Sequence, residues 1–390
     1  MEINSKLYEN DSYIREFEAK VVSCVPEGRY FQIRTDRSAF FPEGGGQSSD
    51  TGLLGTAHVL DVQEKDGLVF HKTDAPLTEG STVTGKIDWA RRFSNMQQHS
   101  GEHIISGIVH RKFGYSNVGF HLSDREVTLD FSGPLSADQL LEIENEANQA
   151  VFENRKVTVS YPSKEMLEKI EYRSKIEIQG QVRLITIDGY DVCACCAPHV
   201  AATGEIGLIK IIGCQKYKGG VRLNILCGVR ALENYRACHD STGAISAMLS
   251  VKPSEVTDGV KKLQSDIYKL KGDINVLTDR IVLCKLEALP KDQADVCIFE
   301  KAMDAHAVRR AVNAMAEAHD GFCGVFVGDD HSGYRYSIGS RTKDAREAVQ
   351  WLQEAGVCRG GGSRDMIQGR IEAAQQDIEA AFANAAVHNK

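Results

Sequence analysis

The sequence predicts an α+β protein in four parts: a small N-terminal β-barrel, an α+β domain, a long heptad helix and a small C-terminal α/β domain. Three patterns carry that expectation. Apolar and polar residues alternate through the first ninety residues; the period becomes helical at Asp88; and from Val256 apolar residues recur at alternating steps of four and three.

The N-terminal part, residues 1–90, contains "FEAKVVSCV", "YFQIRT" and "GLVFHKT" separated by Gly, Pro, Asp and Ser. Such short alternating runs between turn residues read as strands of a small antiparallel barrel or sheet. In "DWARRFSNMQQHSGEHIISGIVHRKFG", Ile104, Ile105, Ile108 and Val109 fall at helical spacing and Gly114 offers a C-terminal stop. A strand "EVTLDFSG", a helix opening on the cap Ser136 and a strand "KVTVSYPS" follow, and "VRLITIDGYDVCACCAPHVAATGEIGLIKIIGCQKYKGGVRLNILCG" returns to strands and turns. Residues 91–245 thus form helices against a mostly antiparallel sheet.

Residues 252–290 read as one long helix. Val260, Ile267, Ile274 and Ile281 at heptad position a, with Leu263, Leu270 and Leu277 at d, is the combination that favours a two-stranded parallel coiled coil. Gly272 weakens its middle and Pro290 ends it. The seam over 256–284 either joins two chains in a homodimer or lies against the chain's own C-terminal domain. Residues 294–390 run strand, helix, two strands, helix, a glycine loop "CRGGGSRD" and an alanine-rich helix. The triplet Gly360, Gly361 and Gly362 fits neither a P-loop nor a dinucleotide fingerprint and reads as a tight turn.

Composition narrows the function classes. A chain of 390 residues, 42% hydrophobic, can bury a substantial core. No run approaches the ~18 apolar residues of a membrane span, and "MEINSKLYENDSYIREFEAK" has neither an apolar h-region nor transit-peptide character, so the expected location is the cytosol and no membrane partner is expected. Eleven cysteines, an odd number with Cys193, Cys195 and Cys196 crowded together, suit reduced thiols and a metal better than a disulfide framework. The formal charge of -8 argues against a globally basic nucleic-acid surface and leaves room for a local basic groove.

His99 and His103 stand four apart on the expected helix, on one face and within reach of one ion. The pair alone is weak evidence. Ninety residues on, Cys195 and His199 form a CxxxH in "CACCAPHV". One sulfur and three nitrogen donors suit tetrahedral zinc better than magnesium, calcium or manganese. A closed four-ligand site usually holds a fold together, yet these ligands come from a helix and a distant turn, so the ion would sit at a seam where pockets form. The HExxH reading fails, since Glu102 does not follow the first histidine directly.

These residues resemble a known family. "QQHSGEH" with "CCAPHVAATGEIG" is similar to the HxxxH and CGGTHV-NTGEIG motifs of the alanyl-tRNA synthetase editing domain, and "FFPEGGGQSSDTG" to its Gly-rich motif. "NVGFHLSDREVTLDF" is similar to the form in free-standing alanyl-tRNA editing proteins of the AlaX type. The heptad helix followed by "RGGGSRDM" resembles the C-terminal DHH-associated domain of the synthetase and of long AlaX proteins. The chain starts at the editing barrel without the aminoacylation domain, so it is expected to hydrolyse a mischarged tRNA rather than make one.

The resemblance implies a trans-editing aminoacyl-tRNA deacylase acting on Ser-tRNA(Ala), and on Gly-tRNA(Ala), at the tRNA(Ala) acceptor end. An alanine pocket rejects serine, which adds only a hydroxyl, or glycine, which lacks only a methyl, by only ~1–3 kcal/mol, so a second hydrolytic site adds selectivity. It further implies one zinc per chain on His99, His103, Cys195 and His199 within a zinc-binding editing domain over 91–245. Gly44, Gly45, Gly46 and Gln47 would form a loop that lets substrate approach the backbone, and Asn117 would position substrate or water. Lys216, Lys218 and Arg222, with Arg359 and Arg364, would meet tRNA phosphates. Three points stay open: Cys193 or Cys196 competes with Cys195 as the thiolate; Pro198 replaces the motif's threonine; and no general base is evident. Glu102, beside both histidines, is either a partner of the ligands or a base, or, pointing elsewhere on the helix, a solvated surface residue, which is the favoured reading; His110 and His121 read as ordinary polar positions, His121 with the better claim to a role because of its motif. The rival reading is a tRNA-binding or regulatory protein with a structural zinc and no turnover.

Overall fold

The computed structural model describes residues 5–124, 126–174 and 180–385. Arg125, inside the quoted stretch ending in "VTLDF", lies outside them. The chain divides into two compact units, one running to Gly243 and the other starting at Ala244. The protein is mixed α+β.

In the first unit six strands, Glu16–Glu27, Tyr30–Thr35, Leu68–Thr73, Ala57–Lys65, Gly52–Leu54 and Thr82–Ile87, pair in that order, and the last returns to the first, closing a ring. Its core holds Phe17, Val21, Ile33, Leu54, Val62 and Val69, the inward halves of the alternating runs. Closure leaves no unpaired edge. The long loop 39–51, between strands Tyr30–Thr35 and Gly52–Leu54, carries the glycine motif and is pinned by a buried ion pair. Arg92 Nε lies 2.9 Å from Asp50 Oδ2, and Asp50 Oδ2 accepts from Phe41 N at 2.6 Å.

Helix Trp89–Phe113 is the axis of this unit. Asp88 caps it by accepting from Arg91 N, and Gly114 ends it in the left-handed region at φ 69°. Nearly every residue from Ser94 to Val109 is buried, polar ones included. A helix buried all round must find partners for its polar side chains. Gln98 does so twice, donating to Cys227 O and accepting from Cys227 N, both at 2.7 Å. Gly101 and Gly107 let neighbouring chain segments close in: a Cβ there would lie 2.4 Å from Cys227 Sγ and 2.2 Å from Tyr190 O.

Two sheets flank the helix where the sequence suggests one. Ile209–Tyr217, Gly220–Cys227, Val127–Phe131 and Asn117–Leu122 form a four-stranded antiparallel sheet; Val157–Ser160, Leu184–Ile187 and Asp191–Ala194 form a three-stranded one. Helix Ala137–Glu153, with a full capping box at Ser136, packs on the same core through Ile143, Ala147 and Val151. Helix Gly228–Leu249 is absent from the sequence-based expectation. It is mostly exposed, with Ala231 and Ser246 among its few buried residues, so it lacks the apolar stripe that periodicity detects.

In the second unit, helix Val256–Glu287 matches the expected long helix. Only its C-terminal end, through Val282 and Leu286, joins the core of this unit. The seam residues Val260, Leu263, Ile267, Leu270, Ile274, Leu277 and Ile281 are 38–60% exposed, so the alternative in which the seam lies on the chain's own C-terminal domain is not what the described residues do. The sheet runs Val296–Glu300, Cys323–Asp329, Gly333–Gly339, Met366–Glu372 and Val357–Gly362, its first pair parallel and the others antiparallel. The expected glycine loop is therefore corrected. Gly360, Gly361 and Gly362 are edge-strand residues, not a tight turn; the turn is at 363–365. The reason is steric: a Cβ at Gly360 would lie 2.1 Å from the Tyr336 hydroxyl, so glycine is there for a close approach.

Among the described residues no helix is long and apolar enough to cross a membrane.

Candidate metal centre and its pocket

The histidine helix, the loop after strand Asp191–Ala194 and the glycine loop meet at one point. His99, His103, Cys195 and His199 bring one ligand atom each to within 4.8 Å of the others, and His99, His103 and His199 are buried. Cys195 Sγ is 3.5 Å from His99 Nε2 and 3.4 Å from His199 Nε2. Bonds of about 2.3 Å to sulfur and about 2.0–2.1 Å to nitrogen in a tetrahedron place N and S about 3.5 Å apart, so this donor set fits zinc. Cys193 belongs to a different cluster, with His103 and Asp191, and Cys196 joins neither. Geometry thus favours Cys195 among the three candidate thiolates.

Each imidazole is oriented through its other nitrogen. His99 Nδ1 lies 2.8 Å from Gln47 Oε1, His103 Nδ1 2.7 Å from Asp191 Oδ2, and His199 Nδ1 3.2 Å from Ser100 Oγ. With Nδ1–H donating, every Nε2 is left to face the centre. Asp191 is in turn gripped by Arg173 through two bonds of 2.7 Å. Burial pushes the Asp191 carboxyl up, but the His103 and Arg173 bonds and charges outweigh it and hold it below its usual range. For Cys195, burial pushes the thiol up, yet the adjacent His99 and His199 and bonds from His103 and His199 draw it well below normal. Burial holds His199 down to about 3, in the neutral form that ligates. The Cys196 thiol is pushed up to about 11 by desolvation and then by the Cys195 charge.

A cavity of about 630 Å³ opens on this cluster, lined among others by Gly45, Gly46, His99, His103, Phe120 and Cys195. Gly46 sits at φ +83°, and a Cβ there would lie 2.3 Å from Phe120 O; Leu122 N donates to Gly46 O at 2.7 Å. The glycine loop is thereby docked on strand Asn117–Leu122, and Gly45 is left on the pocket wall.

Two expectations change here. Glu102 is not a solvated surface residue: it is 1% exposed and lines the cavity. Its Oε1 accepts from Ser106 Oγ at 2.8 Å and from Asn117 Nδ2 at 2.7 Å, and its Oε2 lies 3.8 Å from His103 Nε2. The helix is enclosed on all sides, so no face of it is a solvent face. Asn117 lines a neighbouring cavity with Gly107 and His110 and reaches the metal cluster through Glu102. Arg173 and Asp191 escaped sequence reasoning because no spacing links them to the motif, and Ser100, inside the motif, because its partner His199 is 99 residues away.

The basic candidates diverge. Lys216 and Lys218 are exposed at the tip of the hairpin 209–227. Arg222 is engaged within the fold, holding both Asp130 oxygens at 2.6 and 2.7 Å and covering the Tyr217 ring at 4.0 Å. Arg359 and Arg364 are exposed. Arg359 lies opposite Arg370, and Arg370 opposite Arg335, which places three exposed arginines in one row across adjacent strands. Like charges directly opposed destabilise a sheet, and Arg370 is turned in part to Ser332 O at 2.8 Å.

Comparison with known proteins agrees with these motifs. Residues 182–224 match the family model described as the threonyl and alanyl tRNA synthetase second additional domain, and residues 8–91 match the one described as tRNA synthetases class II (A). The chain is 29% identical to alanyl-tRNA editing protein Aarsd1 of Rattus norvegicus over 385 residues, 93% of each chain. With the Danio rerio protein of the same name it shares 31% identity over 293 residues, 70% of this chain and 71% of that one. The chain belongs to the alanyl-tRNA editing protein family. It is also 28% identical to the alanine–tRNA ligase of Ignicoccus hospitalis over 387 residues, spanning 96% of this chain and 42% of the ligase.

Proposed function

We propose that this protein is a free-standing deacylase that hydrolyses the aminoacyl ester of mischarged tRNA(Ala), chiefly Ser-tRNA(Ala) and also Gly-tRNA(Ala). The observation that carries the reading is the coincidence of the four-ligand cluster with a pocket: three of its members form the wall of the 630 Å³ cavity. A purely structural site gains nothing from such an opening.

His99, His103, Cys195 and His199 would hold one zinc ion, which with its four tetrahedral positions taken by protein would supply a fixed positive charge that helps place the aminoacyl group and water. The chain's own residues do the rest. Gln47, Asp191 and Ser100 fix the three rings. The left-handed turn at Gly45 and Gly46 keeps side-chain bulk out of the path of the terminal nucleotide. Glu102, anchored by Asn117 and Ser106 through Oε1, presents Oε2 toward the cluster and is placed to accept a proton from the attacking water. Asn117 is thus a positioning residue. Lys216 and Lys218, and separately the Arg335, Arg370 and Arg359 row with Arg364, offer phosphate contacts to tRNA. The half-exposed heptad seam pairs with a second copy of the chain. Its expected setting is the cytoplasm, where charged tRNA is used.

The test is release of each amino acid from Ser-, Gly- and Ala-tRNA(Ala), with and without a zinc chelator. Serine or glycine should be freed with alanine spared, and chelation or His103→Ala with Cys195→Ala should abolish release. Stable binding of all three without release, with chelation unfolding the first unit, would support the structural-zinc binding protein instead.

A further inference from the structure

Arg183 lies on the wall of the same cavity, on the strand side of the cysteine loop, and is 7% exposed. Its Nη1 donates to Cys195 O at 2.8 Å and to Ala197 O at 3.0 Å, so one end of the guanidinium holds the loop that carries the thiolate. Its Nε and Nη2 are buried and have no hydrogen-bond partner. These two atoms form one edge of the guanidinium, with parallel N–H bonds at the spacing of a pair of oxyanion oxygens. A buried charged edge with no protein partner is costly in a folded protein unless a ligand completes it. No carboxylate among the described residues does so. The buried acids of this region are engaged elsewhere, Asp191 by Arg173 and His103 and Glu102 by Ser106 and Asn117.

Resting on the deacylase reading above, we infer that Arg183 is the receptor for the phosphodiester that joins the last two nucleotides of the tRNA, gripping its two non-bridging oxygens through Nε and Nη2. The aminoacyl ester carries no anion of its own, and its amino group is cationic, so the first oxyanion met along the substrate from the reacting carbonyl is this phosphodiester. Because the opposite end of Arg183 holds the Cys195 carbonyl, the residue couples recognition of the nucleic-acid end to the placement of the metal loop. The carboxylate of the released amino acid offers the same pair of oxygens after hydrolysis and is the competing source of the anion.

The experiment compares seryl-adenosine, which has no phosphodiester, with seryl-CpA, which has one. Wild type should favour seryl-CpA in kcat/KM by about ten- to a hundredfold, the worth of a charge-assisted pair. In Arg183→Gln, which removes the charged fork, that ratio should collapse toward unity; Arg183→Lys, which keeps charge without the fork, should retain part of it. Equal loss on both substrates, with zinc content reduced, would show Arg183 to be only a strut of the loop and overturn the inference. An unchanged ratio with weaker inhibition by free serine would assign the edge to the product carboxylate and equally overturn it. Should neither ester be cleaved, the deacylase reading falls by itself. The inference is then judged by calorimetric binding of unacylated CpCpA against adenosine, where loss of the CpCpA advantage in the variants upholds it and its persistence refutes it.

Discussion

Replacing Asp191 by Asn removes one negative charge and little volume from behind His103. The His103 Nδ1 contact at 2.7 Å and the two Arg173 contacts at 2.7 Å make the carboxylate a charge-assisted acceptor on both sides. A hydrogen bond to a charged group is worth about 1.5–3 kcal/mol and a neutral one about 0.5–1.5 kcal/mol, so the change weakens the support of His103 by about 1–1.5 kcal/mol. That corresponds to about a tenfold loss of zinc affinity, the low end of the ten- to hundredfold expected when the partner of a ligating histidine is altered. The assay is competition for zinc against a chromophoric chelator, with urea unfolding of the zinc-loaded protein alongside. Arg173→Gln serves as companion: it leaves the carboxylate ionised on His103 and should cost less zinc affinity than Asp191→Asn. Unchanged affinity in Asp191→Asn, with the fold intact, would refute the assignment of Asp191 as the group that orients His103.

Three further outcomes are expected. Burial pushes His71 down to about 4; it accepts from Ser38 Oγ through Nε2 at 2.8 Å and donates from Nδ1 to Ile33 O at 3.1 Å. Its folded-state value lies below the unperturbed ~6.5, so its stabilising contribution is complete above pH ~6.5 and is lost as pH falls toward 4, by about 3 kcal/mol. Urea midpoints of wild type and His71→Gln measured across that window should converge at the acid end, and parallel curves would count against this. Gly46→Ala forces a side chain into φ +83° and a Cβ to 2.3 Å from Phe120 O, so stability in urea should fall by at least the about 1–2 kcal/mol of a left-handed alanine, and deacylation by the protein that stays folded should fall further. Ile274 is 60% exposed on the seam, and covering it is worth about 1–2 kcal/mol per copy. Ile274→Asp should therefore weaken a dimer by roughly thirty- to a thousandfold in sedimentation equilibrium, and a monomeric wild type would remove the coiled-coil reading.

Local order was legible in the residues themselves. The histidine helix from its cap and glycine stop, the capped helix at Ser136 and the heptad helix all follow from spacing, because helix and heptad periods are set by backbone geometry within a few residues. The gathering of His99, His103, Cys195 and His199 was legible too, since two short motifs with i, i+4 spacing put four donors on two local surfaces. Glu102 was misplaced for the same reason that His99 and His103 were found. Spacing says which residues share a helix face, not what covers the other faces, and here a barrel loop, two sheets and a hairpin enclose the helix completely. The glycine triplet was misread because glycine marks a tight turn and a close backbone approach alike, and only the Tyr336 hydroxyl beneath Gly360 separates them.

The sequence by itself determined the periods of the strands and helices, the chemistry of the donors and the family the motifs resemble. Tertiary structure alone decided that Cys195 meets three histidines, where Cys193 meets His103 alone and Cys196 joins neither cluster. It also decided that Asp191, Ser100 and Gln47 hold the rings, that Arg222 is paired within the fold, and that Arg183 keeps a bare edge beside the pocket. All of these are contacts between segments tens of residues apart or more. Such contacts depend on how the barrel loop, the helix and the two sheets close around one core, and no local period of the chain encodes that closure.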